Sequence, residues 1–108
     1  MAKFAVFFTF KGETVKAMMD HPSDRAVVVS KLCESIGGRM LSYYVMFGAW
    51  DGMVIFEAPD SKAAAAFSLA VSSTGALGHL ETHELMDASE LNDAVGTAAG
   101  LAYTPPGR

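Results

Sequence analysis

Apolar and polar positions alternate from Lys3 to Phe10, with Phe4, Val6, Phe8 and Phe10 on one side and Lys3, Ala5, Phe7 and Thr9 on the other. Ala5 and Phe7 make the second side apolar as well, so this first strand is expected to be covered on both faces. Thr14 to Asp20 reads as about one helical turn, stopped ahead of Pro22 because the residue before a proline disfavours the α region. Ala26, Val29, Leu32, Cys33 and Ile36 then recur at helical spacing, predicting a main helix capped by Ser23 and closed by Gly37-Gly38. A second strand is expected from Met40 to Phe47 and a third from Gly52 to Ala58. The connection Gly48 to Asp51 makes them a hairpin in which Phe47 faces Gly52. Pro59 stops the third strand, and Asp60 caps a helix with Ala63, Ala66, Phe67, Ala70 and Val71 on one stripe. A fourth strand runs from about His79 to Met86. Asp87 to Glu90 resembles a capping box, followed by Leu91, Ala94, Val95 and Ala98 on one helical face.

Strand, helix and strand thus occur twice, followed by one extra helix. This is an α+β chain with a ferredoxin-like βαββαβ order and a four-stranded antiparallel sheet arranged 4-1-3-2. Residues 1–100 are expected to form a single domain and 101–108 an irregular tail. Both crossover helices fall on one side of such a sheet, leaving the other side bare. Phe7, Met46, Met53 and Ile55 cannot all face the helices, and a bare apolar sheet face calls for a partner. A second copy packed through the same face closes the two sheets into a dimeric α/β barrel.

Composition strengthens that expectation, because 51% hydrophobic against 19% charged residues in 108 positions is tilted toward burial. A homodimer, or a higher homo-oligomer, is therefore expected. The net charge of −4 argues against nucleic-acid and anionic-membrane partners, which an acidic surface does not attract. Phe4 to Phe10 is too short to span a bilayer. One cysteine, Cys33, cannot form an internal disulfide and fits a buried position, in keeping with a reduced cytoplasmic setting.

The candidate chemistry is sparse. Asp51, at the end of a tight connection, is suited to holding backbone amides or to acting as an acid or base at a barrel mouth. Trp50 beside it suits an interface anchor or a ligand wall. Glu57 shares one side of its strand with Met53 and Ile55, and the expected hairpin register adds Tyr44 and Ser42 to that side. A carboxylate there must be hydrogen-bonded or protonated. Either Glu57 lies at the strand end and reaches water, a backbone amide or Tyr44, or its pKa is raised and, with Tyr44, it exchanges a proton with a small acidic or phenolic ligand. His79, Glu81 and His83 project from one face of the fourth strand. These residues suit an edge strand that discourages aggregation or contacts a second copy, and the two histidines are candidates for ligand binding and proton transfer. Residues four apart on a strand lie about 13 Å apart, too far for one metal ion without bending. No metal or cofactor is expected, and no phosphate-cradling glycine loop or nucleophile motif is present.

Gly48-Ala49-Trp50-Asp51, Glu57-Ala58-Pro59-Asp60, Ala63 to Phe67 and Thr82 together resemble the GYD domain family of the dimeric α/β barrel group, with Trp50 where that family usually has tyrosine. The resemblance covers roughly Lys3 to Met86. It implies the fold and the barrel assembly. Related dimeric barrels include cofactor-free monooxygenases, isomerases and binders of haem or small ligands. Two functions follow as expectations. The chain binds or transforms a small organic molecule between two sheets, or it is a non-catalytic structural or regulatory dimerisation module.

Overall fold

The alternation of the first strand decides how the sheet is covered. In the computed structural model, which describes Met1 to Arg108, β1 (Ala2–Phe10) places Phe4, Val6 and Phe8 under the helices, all buried. The remaining elements are α1 (Gly12–Asp20), α2 (Arg25–Ser35), β2 (Arg39–Val45), β3 (Gly52–Ala58), α3 (Ser61–Ser72), β4 (Leu77–Leu85) and α4 (Ala88–Ala99). The sheet order is β2-β3-β1-β4 and every pairing is antiparallel, as the strand and helix order implies. β1 and β3 are central; β2 and β4 are the edges.

The core lies between the sheet and the crossover helices. Phe56 is fully buried, stacked on Phe4 with ring centroids 5.7 Å apart and on Phe67 of α3 at 4.6 Å. Val6, Val54, Ala58, Ala64 and Cys33 complete this layer. On α3 the buried pair is Ala64 and Phe67, while Ala66 and Ala70 of the expected stripe stay exposed. Gly52 sits where any Cβ would run into the Phe8 ring, so only glycine lets the central strand pass beneath it. Burial pushes the Cys33 thiol up to about 11.

Several boundaries differ from the sequence reading, each for a local reason. The helix before Pro22 spans nine residues, and the Thr14 hydroxyl ties it down by donating to the Ala76 carbonyl at 2.6 Å. The cap of α2 is Asp24, not Ser23, because the Asp24 carboxylate accepts from Val27 N–H at 3.3 Å. Gly37, at φ +80°, closes α2 in the left-handed conformation. β2 stops at Val45, which faces Gly52, so Phe47 does not; Met46 N–H donates to the Asp51 carbonyl and closes a longer connection. The slip is two residues, so side chains keep their faces. A bulge between Met40 and Ser42 then turns Arg39 to the side of Glu57. β4 begins two residues earlier than expected, at Leu77.

The Asp87 capping box of α4 is present in full, its carboxylate accepting from Glu90 N–H and the Glu90 side chain from Asp87 N–H. No residue of α4 is buried. The whole chain measures 58 Å along its longest axis, with a radius of gyration of 17.4 Å. A compact domain of this length is nearer 13 Å, by roughly 2.2·N^0.38. No helix is long and apolar enough to cross a membrane.

Candidate functional site

The sheet register sorts the candidate residues on the face that no helix covers. Across β2, β3, β1 and β4 the rows read Arg39–Glu57–Lys3–Leu85, then Ser42–Ile55–Ala5–His83, then Tyr44–Met53–Phe7–Glu81. His79 lies one row further, opposite Thr9. The β2–β3 connection folds over this end and brings Trp50 down onto the sheet.

Asp51 anchors that connection. Its N–H donates to the Phe8 carbonyl at 2.9 Å, and its Oδ2 accepts from Phe10 N–H at 2.7 Å. The carboxylate is thus committed to the end of β1 rather than to its own turn. Asp51→Ala is expected to leave Phe10 N–H without its partner and to destabilise the chain by about 1–3 kcal/mol in urea denaturation. A loss under about 0.5 kcal/mol, the usual surface level, would show that the connection does not depend on this bond.

With its backbone fixed, Trp50 stacks on His79 with centroids 5.4 Å apart and an interplanar angle of 24°. It also tilts against Phe7 at 5.8 Å, and Phe7 meets the edge of His83 at 5.9 Å. Glu81 joins the two histidines. His79 Nε2 lies 3.3 Å from its Oε1, and His83 Nε2 lies 3.0 Å from its Oε2. The hydrogen bonds from His83 and then His79 hold the Glu81 carboxyl below the usual carboxylate range. With Glu81 ionised, both Nε2 atoms are donors, and Nδ1 of each neutral ring is left to accept a proton. No group of three or more His, Cys, Asp or Glu side chains converges to hold a metal ion.

Glu57 and Tyr44 do share the uncovered face, yet they stand four residue positions apart along β3, about 13 Å by strand rise, and do not form a pair. Glu57 instead accepts from Arg39 NH2 at 2.8 Å, with Lys3 opposite it. The expected rise in its pKa is reversed, because the Arg39 hydrogen bond holds the carboxyl down. Tyr44 is exposed at the free edge, beside Met53. Of the cluster, Glu81 is expected from the sequence to share a face with the two histidines, while Phe7 has no site role there. The strict alternation of β4 and the odd-numbered side of β1 carry the signal for both.

A four-stranded antiparallel sheet with its crossover helices on one face is the ferredoxin-like subunit architecture of the dimeric α/β barrel class. The chain belongs to the GYD domain family, whose model matches residues 4–95. Among solved structures it is similar in fold to 5-chloro-2-hydroxyhydroquinone dehydrochlorinase (TftG) from Burkholderia phenoliruptrix AC1100, with a TM-score of 0.57 at 9% identity over 82% of this chain and 97% of that one. It is also similar to FFRP-DM1, with a TM-score of 0.50 at 13% identity over 80% of this chain and 100% of that one. MupZ from Pseudomonas fluorescens aligns at a TM-score of 0.42 and 14% identity, over 99% and 97% of the two chains. No curated protein sequence matches the chain significantly.

Proposed function

We propose that two copies associate through the uncovered sheet face and bind a small aromatic, ionisable molecule between the sheets, with His79 and His83 as proton acceptors. The observation that carries this reading is the His79–Glu81–His83 chain stacked against Trp50 on a face that lacks a helix layer. Glu81 takes the carboxylate role first expected of Glu57. It fixes the Nε2–H tautomer of each histidine, so that a neutral Nδ1 accepts the proton of a phenol or aromatic acid and leaves an anion beside an imidazolium. Trp50 and Phe7 provide a flat wall for the ring, and Tyr44 stands in the same row as a donor for a polar substituent. TftG, a neighbour in fold, forms a complex with 2,5-dihydroxybenzoquinone, a small hydroxylated ring compound.

Trp50 is the single tryptophan, so its emission reports on this site alone. Titration with a panel of phenols and benzoates at neutral pH is expected to quench it saturably. Glu81→Gln should weaken the response by about tenfold, because the neutral amide keeps one acceptor oxygen where the carboxylate offered a charged one to each imidazole. The pH sign follows from the depressed Glu81 carboxyl: its hold on the histidines is complete above the ordinary carboxylate range and is lost as pH falls through its lower folded value. Quenching that is absent across the panel, or unchanged in Glu81→Gln, would leave the non-catalytic dimerisation module as the reading.

A further inference from the structure

The face opposite the proposed site also holds a cavity. Between α1, α2, α3 and the sheet lies an open groove of about 600 Å³, lined by 21 residues of which 16 are hydrophobic. Its floor is Phe8, Phe10 and Leu77; its walls are Val29 and Leu32 of α2 and Val71 of α3. This volume lies within the range of about 300–1,000 Å³ usual for small-molecule sites. Among the lining side chains there is no carboxylate, and Arg25 is the only one with a permanent charge. That is notable in a chain of net charge −4.

Arg25 opens α2, next to the Asp24 carboxylate, which is committed to Val27 N–H as the cap. The ion pairs of the chain, Arg39–Glu57 and the two Glu81–histidine contacts, leave Arg25 without a partner. Tyr43 enters the same groove from β2, half-buried. Burial raises its pKa and the Arg25 charge pulls it back, which places guanidinium and phenol within electrostatic reach of each other. His21 and Ser23 complete a polar lip around them. An apolar trough that ends at an unpaired cation with a neighbouring phenol O–H matches a molecule with an apolar body and one negative end.

We propose that this groove binds a medium-chain monocarboxylate, its alkyl chain along the α2–α3 trough and its carboxylate at Arg25 and Tyr43. The occupant is distinguished from a second apolar surface by the lone cation, which a purely apolar ligand has no use for. It is distinguished from a site on the uncovered face because the two lie on opposite sides of the sheet. α4, whose Leu91 and Val95 are exposed, is the competing occupant within the chain itself.

The test is titration of the full-length protein with decanoate and 1-decanol below micellar concentration, followed by amide and methyl chemical shifts at Val29, Ala70 and Val71. Decanoate is expected to bind saturably, with affinity rising about threefold to fourfold per added methylene across octanoate, decanoate and dodecanoate. Arg25→Gln should weaken decanoate about tenfold and leave decanol unchanged. Ala70→Trp, at an exposed helical position on the groove wall, should weaken both. Three results overturn the proposal: no shifts at these residues up to about 1 mM, the millimolar limit of weak binding; equal affinities with and without Arg25; or binding that appears only when Leu91→Asp and Val95→Asp release α4, which would assign the groove to that helix.

Discussion

Phe56→Ala is expected to cost about 3–5 kcal/mol, the usual range for removing a fully buried phenylalanine. Phe56 lies on a central strand, fully buried, and its ring is held between Phe4 of β1 and Phe67 of α3. Truncation removes the one side chain that stacks on both the neighbouring strand and the α3 layer above it, and the rigid strand ladders on either side cannot close the gap. A domain of this size has only about 5–15 kcal/mol to lose. Urea denaturation should therefore show a much lower midpoint at an unchanged slope. Phe56→Leu serves as the graded control and should lose far less. A Phe56→Ala loss below about 1 kcal/mol, well under the range for such truncations, would mean that the layer between sheet and helices collapses freely.

Ile55→Asp is expected to abolish self-association while leaving the fold in place. Ile55 occupies the middle of the uncovered face, between Ala5 and Ser42 in neighbouring strands, and is only half-buried within one chain. In a single copy the new carboxylate stays in contact with water and costs little. Packed against a second sheet it becomes an unpaired buried charge, worth about 3–5 kcal/mol for each copy. The dimer dissociation constant should rise by at least about a hundredfold, since each 1.4 kcal/mol is a factor of ten. Sedimentation velocity reads the change directly, and far-UV circular dichroism checks that helices and strands persist. A wild-type chain that sediments as a monomer at micromolar concentration, or a variant that still dimerises, would remove the uncovered face as the interface.

The site was legible in part. Parity alone places His79, Glu81 and His83 on one face of β4 and Met53, Ile55 and Glu57 on one face of β3. That the two faces coincide, with Phe7 between them, is decided by the register of β1 with its neighbours. Parity survived even the error in the hairpin, because the true pairing of Val45 with Gly52 is displaced by an even number of residues. What parity does not give is position along the strand, and that is what separates Tyr44 from Glu57 by about 13 Å, four residues of strand rise. The bulge that aims Arg39 at Glu57 is a tertiary event, set by how β2 fits its neighbour, and no residue type in Met40-Leu41-Ser42 announces it. Asp51 reads as a turn residue, yet its carboxylate reaches Phe10, 41 positions away in sequence.

The sequence by itself determined the order of the elements, the helix ends at Asp60 and Asp87, and the two-sided apolar character of β1. Each of these rests on local physics: hydrophobic periodicity, capping oxygens and the backbone preferences of proline and glycine. Only the tertiary structure decided which groups meet. It stacked Trp50 on His79, gave Glu81 both imidazoles, neutralised Glu57 with Arg39 and left Arg25 alone at the mouth of an apolar groove. These contacts join residues from separate strands and helices, so they depend on register and packing distance, which a pattern along one dimension does not contain.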